Sequence, residues 1–136
     1  MGTEIALIDK QRFGNDDKAI ASHVIGDVKD RTCIIFDDEI DTGGSMMEAV
    51  RVLKENGAGD IYAACTHGVL SGDAIEKIKD PALKELVITN TIPLTNEKKL
   101  DKIKVLDIAP LFGKAIKNIH NGQAVGDLFE DHKMEF

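Results

Sequence analysis

The chain has 136 residues, 43% of them hydrophobic and 30% charged, with a net charge of −7 and two cysteines. That composition describes one folded domain with a real core rather than a disordered chain, and it lacks the basic surplus of a dedicated nucleic-acid binder. No apolar run approaches the ~20 residues of a membrane span, and Met1–Lys10 is too polar for a secretory signal, so a cytoplasmic protein with no membrane or nucleic-acid partner is expected.

In chain order, five short runs rich in Ile and Val predict strands: Ile5–Ile8, Thr32–Phe36, Ile61–Cys65, Leu86–Thr89 and Lys104–Ile108. They lack clean polar alternation, as strands buried on both faces do. Val24–Val28 is expected to pair with Thr32–Phe36 across the turn at Lys29-Asp30. Helices alternate with the strands. Ser45–Asn56 places Met46, Val50 and Leu53 on one side and stops at Gly57. Asp73–Lys79 does the same with Ala74, Ile75 and Ile78. Pro110 suits a first helical turn, followed by a stripe of Leu111, Phe112, Ala115, Ile116 and Ile119 that ends at Asn121-Gly122. The expected fold is therefore α/β, a central and mostly parallel five-stranded sheet flanked by helices, in a single domain over residues 1–136. Phe13–Asp17 and Pro93–Lys99 read as polar loops. Cys33 and Cys65 sit inside apolar runs and read as reduced core thiols; their number gives no metal-binding pattern.

The stretch IIFDDEIDTGGSMMEAV, Ile34 to Val50, asks for more than packing. In open α/β sheets ligands bind beyond the carboxyl ends of strands, and Asp37-Asp38 falls at such an end. Adjacent carboxylates there can accept hydrogen bonds from a vicinal diol such as that of ribose. Asp41, Thr42, Gly43, Gly44 and Ser45 offer backbone amides and hydroxyls, and glycines let a phosphate approach a helix N-terminus. A diol at one end and a phosphate at the other describe a ribose 5-phosphate moiety. The loop is no P-loop, because no lysine follows the glycines, and its acids lack the EF-hand spacing. A solvated acidic turn before a glycine-rich helix start fits the same residues.

The loop resembles the phosphoribosyl pyrophosphate (PRPP) loop of type I phosphoribosyltransferase folds. The ordered segments ALIDKQR, HVIGDVKDRTCIIFDDEIDTGGS, ACTHGVLSGDAIEKI, LVITNTIPL and IKVLDIAPLFGKAI with HNG resemble the C-terminal half of ribose-phosphate pyrophosphokinases, from about Ile5 to Phe129. That family moves the β,γ-diphosphoryl group of ATP to the anomeric hydroxyl of ribose 5-phosphate with Mg2+. The resemblance implies that Asp37 and Asp38 bind ribose hydroxyls and that Asp41–Ser45 cradle the 5-phosphate. It also implies that Lys10 and Arg12 occupy basic positions of a catalytic loop, with Arg12 gripping phosphate as well, while Gln11 replaces a middle basic residue. His67 is implied as part of the site wall, and no resident metal ligand is implied. The implied partners are ribose 5-phosphate, PRPP, ATP and further copies in a homo-oligomer. The chain would then be the C-terminal domain of a longer enzyme and inactive alone. A small PRPP-using phosphoribosyltransferase and a non-catalytic subunit of a synthetase complex share the acidic loop.

Overall fold

The structure is a computed structural model that describes residues 3–11 and 21–130. In chain order it contains β1 (Leu7–Gln11), β2 (Ala21–Ile25), β3 (Cys33–Ile40), α1 (Gly44–Glu55), β4 (Ile61–Gly68), α2 (Ala74–Ile78), β5 (Leu83–Thr89), β6 (Ile103–Leu106), α3 (Ala109–His120) and α4 (Asp127–Glu130). A 3-10 turn at Asn96–Lys98 lies within the expected loop Pro93–Lys99. The expected loop Phe13–Asp17 lies outside the described residues.

The α/β class holds, with a parallel sheet in the order β3-β4-β5-β6. The helical periodicities of α1 and α2 mark faces that do pack. Met46, Val50 and Leu53 of α1 and Ala74 and Ile78 of α2 join Ile61, Ala63, Cys65, Leu86 and Ile88 of the sheet in one buried cluster. Burying each large aliphatic side chain contributes roughly 1.5–3 kcal/mol, which is what holds the two helices to the sheet. Gly57 ends α1 in the left-handed region at φ 81°, a conformation its missing Cβ allows.

The sheet has four strands rather than five, because the first apolar run forms a separate antiparallel ribbon of β1 and β2. Its register pairs Leu7 with Ile25 and Ile8 with Val24. Ile8 and Val24 pack against the core while Leu7 and Ile25 stay exposed, the alternation of a strand buried on one face only. This ribbon also replaces the expected pairing of Val24–Val28 with Thr32–Phe36. Asp30 turns the chain at φ 58°, its N–H donates to the Gly57 carbonyl at 2.8 Å, and Lys29 bridges Ala58. Those bonds tie the segment before β3 to the turn after α1, so the chain cannot fold back on β3.

Burial of the parallel strands is one-sided too. Side chains facing α1 and α2 are buried, whereas Ile34 and Phe36 on the other face are exposed and Tyr62, Ala64 and Val87 half-buried. The α3 stripe does not close that face: Phe112, Ile116 and Ile119 remain exposed. No helix among the described residues is long and apolar enough to cross a membrane.

Gly68 ends β4 directly over Ile88, which is fully buried. A Cβ there would lie 2.9 Å from Ile88 Cδ1 and 3.1 Å from its Cγ2. Gly68→Ala is expected to lower the unfolding free energy by about 1–3 kcal/mol in urea titration, and Ile88→Val to recover part of that loss by trimming the crowded side chain. An unchanged midpoint would contradict this packing.

Candidate ligand-binding site

Strand β3 does not stop at Phe36. Its ladder with β4 runs on through Asp37 opposite Cys65 and Glu39 opposite His67 to Ile40 opposite Gly68. The acids therefore belong to the strand itself, and buried Ile40 anchors its end. Asp37, Asp38 and Glu39 are all exposed. Ile34 and Phe36 lie on the exposed face and Ile40 is back in the buried cluster, so the simple alternation of the strand is interrupted among these acids, where Asp38 has no ladder partner. The Asp37 carboxylate also accepts the Asp38 backbone N–H at 2.9 Å.

The turn that follows is firmly held. Leu70 N–H donates to the Ile40 carbonyl and Ser71 N–H to the Asp41 carbonyl, each at 3.0 Å. The Ser71 hydroxyl donates to the Asp41 carboxylate. Asp41 thus serves as an anchor of the loop, with at least one carboxylate oxygen already engaged. Lys77 Nζ donates to the Thr42 carbonyl at 3.0 Å and pairs with Asp73 at 2.7 Å. That ammonium holds the Asp73 carboxyl below its usual range. Ser71 and Lys77 escaped the sequence reading. The only trace of Lys77's position was its spacing of four residues from Asp73, which reads as an ordinary helical ion pair.

Gly43 precedes the helix in the left-handed region, at φ 71°. Helix bonding begins with Met47 N–H donating to the Gly43 carbonyl at 3.0 Å. No side chain caps the helix and its first turn holds no acid, so the amides of Gly44, Ser45 and Met46 open α1 without a side-chain partner. Gly44 and Ser45 are exposed. A twelve-residue helix that begins this way presents N–H groups and the positive end of its dipole to an anion.

Exposed His67, next to last in β4, has Nδ1 at 2.9 Å from Thr91 Oγ1. Thr91 and Thr89 both donate to the Thr66 carbonyl, at 2.9 and 2.7 Å. The imidazole is therefore fixed in orientation on the next strand from Glu39, as a wall residue would be. Cys65 lies below it. Burial pushes its thiol up to about 11, against an opposing hydrogen bond with the Ile40 backbone and with a smaller push from the Asp37 charge, so it is neutral near pH 7. Of the expected basic residues, the Lys10 backbone lies in β1 opposite Ser22, and Arg12 lies outside the described residues.

These features define a class: an open parallel α/β domain whose strand carboxyl ends carry acids beside an uncapped helix N-terminus. Within that class, the chain belongs to the phosphoribosyl synthetase-associated domain family, whose model matches residues 15–130. It is 50% identical over 129 residues to the ribose-phosphate pyrophosphokinase of Caldanaerobacter subterraneus subsp. tengcongensis, covering 95% of this chain and 40% of that relative. The ribose-phosphate pyrophosphokinase of Clostridium tetani is 48% identical over 126 residues, covering 93% and 39%. The crystal structure of phosphoribosylpyrophosphate synthetase from Mycobacterium smegmatis superposes with a TM-score of 0.80 at 40% identity, covering 89% of this chain and 38% of that one. The chain thus spans about 40% of the length of the relatives it matches.

The two loop glycines carry different loads. Gly43 needs its positive φ, and any L-residue there costs roughly 1–2 kcal/mol. A Cβ on Gly44 would meet only Thr42 Oγ1, at 3.8 Å, within a helix that favours alanine. Gly43→Ala should lower the thermal midpoint by several degrees while Gly44→Ala leaves it unchanged or raises it, as followed by circular dichroism. Equal loss in both would show that the turn is not built as described.

Proposed function

We propose that this chain is the ribose 5-phosphate- and PRPP-binding part of a ribose-phosphate pyrophosphokinase, corresponding on its resemblance to the C-terminal domain of the longer enzyme. The observation that carries the reading is the uncapped amide cluster of Gly44, Ser45 and Met46, set just beyond the carboxylates at the end of β3. A sugar phosphate spans both: the phosphate accepts from the helix amides and the Ser45 and Thr42 hydroxyls, and the ribose hydroxyls donate to Asp37 and Asp38. Asp41 contributes by holding the turn against Ser71. Lys77 donates to the back of the same turn and adds positive charge near the anion.

Diphosphoryl transfer requires ATP and the anomeric hydroxyl in line, with positive charge where the transferring oxygens gain negative charge. Lys10 and Arg12 supply that charge in this reading, Arg12 as a planar fork on phosphate. Mg2+ fits as the nucleotide's own ion. No three candidate ligands converge among the described residues, and an ion held mainly by phosphates needs only one or two protein carboxylates, which Asp37 and Asp38 can give. Bound there, it would neutralise phosphate charge. The complete enzyme would work in the cytoplasm as a homo-oligomer. The 136-residue chain alone would bind the sugar phosphate yet make little PRPP, since the relatives named for that activity are much longer.

Isothermal titration calorimetry tests the reading. Ribose 5-phosphate should bind the isolated chain, and ribose should not. Asp37→Asn should weaken binding about tenfold or more, the value of hydrogen bonds to a charged group. Gly44→Val should remove binding without unfolding the chain, because its side chain would stand where the phosphate meets the amides. Identical affinity in wild type and Gly44→Val would reject the site.

A further inference from the structure

Among the described residues, the amides of Thr42, Gly43, Gly44, Ser45 and Met46 donate to no protein group. The last three open α1, but the first two precede it and take their direction from elsewhere. Gly43 is buried, where an N–H without a partner is costly. A trans peptide points its C=O and the N–H that follows to opposite sides. The Asp41 carbonyl accepts from the Ser71 N–H and the Thr42 carbonyl from Lys77 Nζ, each at 3.0 Å. Both carbonyls are therefore drawn toward the segment that leads into and forms α2, and the N–H groups of Thr42 and Gly43 turn away from it. That segment is a fixed platform: Ala74 and Ile78 are fully buried, and a Cβ on Gly43 would lie 3.7 Å from Ala74 Cα.

We propose that Lys77 is a positioning residue for this turn: by holding the Thr42 carbonyl it aims the Gly43 N–H at the phosphate that the helix amides receive. The inference rests on the sugar-phosphate reading and gives that site a residue that acts without touching the ligand. Charge alone does not account for Lys77. Its ammonium lies 2.7 Å from Asp73, which offsets the charge locally, and two of its three N–H groups are spent on Asp73 and Thr42. The bond to Thr42 matters because the next residue is glycine. Without a donor on that carbonyl the peptide between Thr42 and Gly43 is free to turn over, since glycine accepts either sign of φ. A turned peptide would present a carbonyl oxygen to the anion in place of an N–H. Lys77 is the one side chain that donates to this carbonyl among the described residues.

Calorimetry and proton–nitrogen NMR of the 136-residue chain with ribose 5-phosphate test the proposal. Lys77→Met keeps the aliphatic stem and removes the donor. It should weaken binding about tenfold, the usual worth of one hydrogen bond to a charged group. It should also abolish the ligand-induced shift of the Gly43 amide while those of Ser45 and Met46 persist at saturation. Lys77→Arg, which keeps a donor, should recover most of the affinity. The affinity ratio of wild type to Lys77→Met should survive in about 1 M salt, where the screening length falls to roughly 3 Å. A ratio that vanishes in salt would overturn the proposal, because Lys77 would then act as a counter-charge. Equal affinity in the two proteins, with only the thermal midpoint of Lys77→Met lowered, would overturn it as well, leaving Lys77 a structural tie. Binding by wild type with an unmoved Gly43 amide would remove this proposal alone. If ribose 5-phosphate shifts no amide from Thr42 to Met46 in wild type, the sugar-phosphate reading falls and this one with it.

Discussion

The parallel pairing that carries β3 past Phe36, as far as Ile40 opposite Gly68, decides where every group of the candidate site lies. A strand released after Phe36 would leave Asp37, Asp38 and Glu39 on a loose turn. Paired with β4 on either side of Asp38, they are held at the strand end. Gly68, opposite Ile40 at the end of that ladder, has no Cβ to crowd the buried Ile88 side chain. From Ile40 the chain has only three residues to reach Gly43 and start α1, so the helix amides open next to the acids and nowhere else.

That anchoring also explains how a helix can begin without a cap. An uncapped N-terminus forgoes about 1 kcal/mol relative to one closed by a serine or aspartate side chain. Both residue types are close at hand, yet Asp41 is turned to Ser71 and no side chain closes the helix. The turn draws its order from its bonds to Ser71 and Lys77, and no side chain closes its helix N-terminus.

Much of this was legible from residue order. The helix α1 was readable from Met46, Val50 and Leu53, and the turn that opens it from its glycines. What escaped depends on contacts between distant segments. The extension of β3 through its acids comes from β4, and charged residues give no strand signal of their own. The ribbon of β1 and β2 was misread because Ile5–Ile8 is as apolar as a buried strand, and only the partners of Ile8 and Val24 show that one face is used. Ser71 and Lys77 were invisible because their value lies in reaching back some thirty residues to Asp41 and Thr42. The expectation of strands buried on both faces fails on the face that carries Ile34, Phe36 and Leu106, which is exposed among the described residues.

The central claim is that the open end of α1 receives a sugar phosphate, and the most direct measurement is the response of its backbone amides. Two-dimensional proton–nitrogen NMR of the uniformly 15N-labelled chain, titrated with ribose 5-phosphate and separately with ribose, reads each amide individually. The account predicts the largest, saturable shifts at Gly44, Ser45 and Met46 with ribose 5-phosphate, smaller ones at Asp37 and Asp38, and none with ribose at the same concentrations. Shifts absent from α1, or equal for both sugars, would contradict it.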